Sequence, residues 1–161
     1  MALDPVGTET LSRSLMGSVT ERLQRVRRLG HDLRVGSAEY VPLDIVMRIC
    51  VLPGYQRAHV EAALLGVLGT GMLPGGRRGL FNPDNLTFGT HVSVSMLVAA
   101  AASVTGVESA TVTRLRRLGQ GDDGELAAGV LTTGPMQIPQ LDNDPRHPER
   151  GRLRLRMGGG R

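Results

Sequence analysis

Residues 40–54 read YVPLDIVMRICVLPG, and this stretch limits the fold more firmly than any other. Leu43, Ile45, Met47, Ile49 and Val51 recur at every second position, which places them on one face of an extended strand. The other face mixes Asp44 and Arg48 with Val46, Cys50 and Leu52. A strand of this kind must be covered on its apolar side, and Pro53-Gly54 marks its end.

Helical stripes supply the cover. In residues 55–69, Val60, Ala63, Leu64, Val67 and Leu68 fall three or four apart, with Gly69 and Gly71 as the stop. Residues 92–106 repeat the pattern with small side chains: Met96, Leu97, Ala100, Ala101 and Val104 form a flat stripe that ends at Gly106. A third stripe lies between residues 8 and 30, through Leu11, Leu15, Val19, Leu23 and Val26. Arg22, Arg25, Arg27 and Arg28 cluster at its end, where cations complement the carbonyl end of a helix, and Gly30 fits a stop.

Further strands are expected over residues 31–35, from residue 107 onward, around residues 136–138, and over the closing run RLRLRM. In VESATVTRLRRLG, Ala110 and Val112 alternate with Ser109, Thr111 and Thr113, but Leu115 falls out of phase, which predicts a bend or bulge. GQGDDGEL reads as a polar turn. This order predicts an α+β fold, with helices packed on one face of a mainly antiparallel sheet in a ferredoxin-like sandwich. Residues 1–30 form an N-terminal helical segment in this reading, and residues 31–161 the α+β domain.

Length and composition narrow the chemistry. At 161 residues the chain has the size of one domain and can close a core. Its formal charge is +4 and its pI about 10.5, yet all 19 basic residues are arginine. That removes a phosphate-loop lysine, a Schiff base and a lysine general base, while arginine is common at interfaces. Cys50 is the sole cysteine, so an internal disulfide and a cysteine-cluster zinc site are both excluded; mid-strand, it reads as a buried, inert thiol. The start carries no secretory pattern and no segment is long and apolar enough to span a bilayer, so the chain is expected in the cytoplasm unless a larger particle carries it out.

No catalytic or metal motif emerges. His31, His59, His91 and His147 lie in four separate segments without an HExxH, and there is no GxSxG. LDNDPRHPERG offers Asp142, Asp144 and Glu149, but Pro145, Arg146 and His147 stand where a calcium loop needs oxygens and glycine, so a structural turn is the better reading. The expectation is a non-enzyme without cofactor or metal.

Two features instead suggest contact with a partner. Residues 75–92, GGRRGLFNPDNLTFGTHV, hold both phenylalanines of a chain that has no tryptophan. In so polar a loop the rings of Phe81 and Phe88 must bury against a ligand, the domain's own core or a neighbouring chain. Arg77 and Arg78 give the loop the look of an anion cradle, although the lysine and hydroxyl of a nucleotide motif are missing. In RLRLRM, Arg152, Arg154 and Arg156 project from one face, as a charge-protected or partner-facing strand or as phosphate contacts. The second option keeps a small basic nucleic-acid-binding domain open as the alternative function.

Three ordered stretches also carry a family resemblance: YVPLDIVMRICVLPGY; the run from AALLGVLGTGMLPGGRRGLFNPDNLTFGTHV to ATVTRL; and LDNDPRHPERGRLRLRMGGG. Together with LDPVGTETL and GHDLRV before them, they resemble the C-terminal region of the baseplate assembly protein family. These are J-like wedge proteins of contractile phage tails and contractile injection systems. The resemblance implies a structural wedge component that docks onto other wedge subunits or a second J-like copy, and indirectly onto sheath and tube or hub proteins. It places the chain in a phage tail or tail-like particle after cytoplasmic assembly. Within the matching loop, Gly79, Phe81, Asn82, Pro83, Asp84, Asn85, Phe88 and Gly89 agree with the family motif. The rings are then expected to anchor a shaped connection to the core or to a neighbouring subunit. Arg77, Arg78, Phe81, Asn82, Pro83, Asp84, Asn85, Phe88, Arg152, Arg154 and Arg156 become the candidate docking residues. Leu80 and Leu86 stand where relatives tend to carry further aromatics, and family members are several times longer, with other wedge-building regions upstream.

Overall fold

The structure is a computed structural model that describes residues 2–3, 12–26 and 35–161. Its elements in order are β1 (Ala2–Leu3), α1 (Arg13–Arg25), β2 (Gly36–Ser37), β3 (Glu39–Val51), α2 (Arg57–Val67), β4 (Val92–Ser93), α3 (Val94–Ala102), β5 (Val107–Arg117), α4 (Glu125–Ala128), β6 (Val130–Leu131), β7 (Gln137–Gln140) and β8 (Arg152–Gly159). The α+β class expected from the sequence is present. No helix among the described residues is long and apolar enough to cross a membrane.

The long strand β3 is the centre of the main sheet, paired along both edges. On one side it runs antiparallel to β5, from Leu43 opposite Arg117 to Val51 opposite Val107. On the other it runs parallel first to β7, at residues 39–42, and then to β8, at residues 44–51. The expected antiparallel pairing therefore describes one edge, while the opposite edge is parallel. Connections of suitable length permit this: β8 returns in the direction of β3 only after the chain has passed through β5 and the loops beyond it. The register shifts between Val46 and Met47, leaving Thr113 as an extra residue in β5. This is the bulge that puts Leu115 back on the buried face, and the Thr113 hydroxyl donates to the Val46 carbonyl at 3.2 Å.

The odd-numbered face of β3 is the core. Leu43, Ile45, Met47, Ile49 and Val51 are all buried, and Val60, Leu64, Leu68, Leu97, Ala101 and Val104 from α2, α3 and their C-terminal turns pack over them. Serine caps open two helices: Ser93 Oγ accepts from the Met96 amide at 3.1 Å and Ser12 Oγ from the Leu15 amide at 3.2 Å. Helix α1 forms within the stripe read between residues 8 and 30, but none of its side chains is buried. Leu11, Arg27, Arg28 and Gly30 lie outside the described residues, as does the expected strand over 31–35, apart from Val35, which is not in a strand. Part of the polar turn GQGDDGEL is helical instead, because Gly124 and Gly129, both at positive φ, bracket the short turn α4.

The loop after α2 answers where its rings go. Phe81 is 1% exposed and belongs to the core cluster, whereas Phe88 is half-buried and lies outside that cluster. Backbone bonds hold the loop against the end of α2: Leu80 N donates to Val67 O at 2.7 Å and Phe81 N to Gly69 O at 3.1 Å. Gly79 is required by this close approach, since a Cβ there would collide with the Gly69 carbonyl. Asn82 Nδ2 donates to Thr70 O at 2.5 Å and its Oδ1 caps the turn Pro83–Asn85, while Asn85 Nδ2 donates to Gly79 O at 2.8 Å.

Truncating the two rings should thus have unequal effects. Phe81→Ala is expected to cost about 3–5 kcal/mol, as for a buried aromatic, and Phe88→Ala about 1 kcal/mol. Urea midpoints at unchanged slope measure both; equal losses would mean that Phe88 supports the core after all. Gly79→Ala should also lower the midpoint although it adds only a methyl group, because backbone blocks the space it needs.

Candidate functional site

The face of the main sheet turned away from the core helices is where charge gathers. Residues directly opposite each other across the ladders share a face, so the register sets out three rows. Arg116, Asp44 and Arg152 form the first; Arg114, Val46 and Arg154 the second; Thr111, Arg48 and Arg156 the third. Arg152, Arg154 and Arg156 do project from one face, opposite Leu153, Leu155 and Met157, as their alternation predicted. The sequence reading missed their company. Arg48, Arg114 and Arg116 from the two other strands complete a six-arginine surface around one aspartate.

Asp44 is the anchor of that surface. Its side chain is 1% exposed, yet it is surrounded by guanidinium groups that keep contact with water. Arg116 donates from Nε and Nη2 to Oδ2 at 3.1 and 2.9 Å, and Arg114 Nη1 reaches the same oxygen at 3.3 Å. Arg152 approaches Oδ1 through Nε and Nη2, each at 3.3 Å. Burial pushes the Asp44 carboxyl upward, but the hydrogen bonds from Arg152 and Arg116, with the charges of Arg152 and Arg114, more than offset it and hold the pKa below the ordinary 3.8.

Farther along the face the arginines have no such neighbour. Arg48, Arg154 and Arg156 are exposed and make no ion pair with a carboxylate among the described residues. Val46 is nonetheless only 4% exposed, in keeping with its place between the long aliphatic stems of Arg114 and Arg154. Cys50, expected as a buried thiol, is half-buried on this same face and donates from Sγ to Glu108 Oε2 at 3.0 Å. That hydrogen bond, with burial and the Glu108 charge, raises the thiol pKa and disfavours the thiolate.

The loop residues expected to dock a partner lie elsewhere. Phe81 points into the core on the helix side of the sheet, so the structure does not unite the loop with the arginine strand in one site. Arg77, Arg78, Pro83, Asp84 and Asn85 are exposed on the loop's rim, where Arg78 Nη2 pairs with Asp84 Oδ2 at 3.1 Å. Asn82 is part-buried and spends its side chain on the backbone. The segment LDNDPRHPERG is a hydrogen-bonded turn: Asp144 Oδ1 accepts from Arg146 N at 2.9 Å, and Asn143 Oδ1 from Leu153 N at 2.9 Å.

Asp44→Asn should destabilise the fold by about 2–3 kcal/mol, less than for a fully buried broken pair, because the arginines left behind retain water. The sign of its pH dependence is fixed. With a folded pKa below the unfolded one, the Asp44 contribution is complete above about pH 4 and is lost as pH falls through the folded value. Chemical denaturation from pH 7 to 2 should therefore show an acid-labile component in the parent protein that the Asn variant lacks.

Neither a known family model nor a curated protein sequence matches this chain.

Proposed function

We propose that the chain is a non-enzymatic docking module of a phage-tail-like baseplate wedge, binding other baseplate subunits in a contractile tail or injection system. The observation that carries this reading is the sheet face away from the core helices, on which Arg48, Arg154 and Arg156 present charge without a partner carboxylate among the described residues. A sheet covered by helices on one side and lined by unpaired arginines on the other is suited to receive an acidic surface. The rim of the loop, with Arg77, Arg78, Pro83 and Asp84 on a backbone locked to α2, offers a second contact of fixed shape. The resemblance of the ordered motifs to the J-like wedge family supports the choice of assembly. A ferredoxin-like sandwich is the finer fold reading, consistent with a central strand that has one parallel and one antiparallel neighbour.

A basic nucleic-acid-binding domain is the second reading, favoured by the same unpaired arginines. It is set back by the absence of aromatic residues from the three rows that would stack bases.

The deciding experiment is co-sedimentation of the tagged chain, at native expression in its own host, with sheath, tube and wedge proteins and with tail-like particles seen by electron microscopy. The parent chain is expected in the particle fraction, and Arg48→Glu/Arg154→Glu/Arg156→Glu is expected to stay folded but remain in the supernatant. Particles that never contain the parent chain would overturn the wedge reading. Oligonucleotide affinity that falls steeply with salt, with a slope flattened by the triple variant, would replace it with the second.

A further inference from the structure

We propose that the outer edge of β8 is a strand-addition site for an acidic extended segment of a partner protein, with alternate carboxylates seated against Arg154 and Arg156. The inference deepens the docking reading above and depends on it only for the identity of the partner.

Three observations combine. The first is an open stretch of backbone. Two contacts fix which groups of β8 face away from β3: Leu153 N donates to Asn143 Oδ1 at 2.9 Å, and Gly159 O accepts from Arg57 Nε at 2.5 Å. N–H and C=O of one residue point the same way in a strand, and the direction alternates, so those of Leu155 and Met157 lie on the same outer edge. No partner strand and no other hydrogen bond reaches them from the described residues. Among the described residues, the edge is closed at both ends and open between.

The second observation is the side-chain pattern flanking this window. Arg154 and Arg156 stand on the arginine-lined face, exposed and about 6.6 Å apart at strand rise. A strand laid beside β8 would place its own alternate residues on that face, within cross-strand reach of the two guanidinium groups.

The third is a worked instance within the same sheet. Asp44 lies directly opposite Arg116 on one side and Arg152 on the other, and both arginines engage its carboxylate. A carboxylate between neighbouring strands is how this face satisfies its first row. The next two rows contain the arginines but no acid.

Strand addition demands more than charge: it requires backbone donors and acceptors at a two-residue period. A nucleic acid would use the same arginines without that requirement. The period is thus what separates the two.

The test uses the full chain and capped seven-residue peptides that alternate glutamate with threonine or valine, followed by fluorescence anisotropy or calorimetry. Micromolar binding is expected, weakened at least tenfold by Arg154→Glu/Arg156→Glu, whose circular dichroism should match the parent because both side chains are exposed. Two N-methylated peptides then probe the backbone. One carries the methyl groups on the glutamates and the other on the intervening residues; in either strand direction only one set of amides faces β8. One methylated peptide should lose at least tenfold in affinity while the other binds like the parent. Equal binding by both would overturn strand addition, as would a single-stranded oligonucleotide that binds more tightly than every peptide. Failure of the chain to join particles, with peptide binding intact, would remove the baseplate identity and leave this site standing.

Discussion

Pairing along both edges of β3 is the constraint on which the rest of the molecule depends. A strand of this length, apolar on one face, is stable only if its backbone groups are satisfied on both sides and its side chains are covered. The chain meets the first need with β5 on one edge and β7 followed by β8 on the other. Even the proline within β3 fits this division. Pro42, which cannot donate to a ladder, lies where pairing to β7 ends and pairing to β8 is about to begin, and its carbonyl accepts from Leu118 N at 2.8 Å. The helices meet the second need from one side only.

The uncovered side then has to be stable in water while holding one buried carboxylate. Asp44 achieves this because its three partners come from two different strands and are themselves wet, so the charge leaves bulk solvent without leaving its counter-ions. The same contacts join β5, β3 and β8 across the face that no core helix covers. Charge on this face is consequently net positive but unevenly engaged: at the Asp44 end three guanidinium groups share one carboxylate, whereas Arg48, Arg154 and Arg156 make no ion pair among the described residues. Arginine suits both tasks, since its planar fork can engage one carboxylate oxygen or two and its stem can shield an apolar neighbour such as Val46.

How much of this could be read from the sequence follows the range of the interactions. The period of two in β3, the stripes of α2 and α3 and the slip at Leu115 are local signals, and the elements they describe are present. Phe81 and Phe88 looked equivalent because local composition does not reveal which ring meets the core. The candidate face was half visible: RLRLRM shows that three arginines share a side, but not that Arg48, Arg114 and Arg116 stand beside them. That knowledge lies in the register between segments; Asp44 and Arg152 are 108 positions apart. An aspartate within the most apolar strand of the chain was the one available hint, because a buried carboxylate requires cationic partners from somewhere.

An exposed strand edge must also discriminate. A second copy of this chain approaching β8 edge to edge would bring Arg154 and Arg156 near their own counterparts, and like charges across neighbouring strands oppose pairing. The repulsion acts on any basic segment, whereas an acidic one gains from the same groups. Arginine on β8 therefore makes the edge selective rather than merely closed, with charge rejecting wrong strands and the backbone period rejecting polyanions that are not strands. The proximity of Asp44 sharpens this further: by engaging Arg152, it leaves the β8 arginines that lack a carboxylate contact on the part of the edge where the backbone is also open among the described residues. Charge and hydrogen-bonding capacity then coincide over Arg154–Met157, and neither alone would define so short a target.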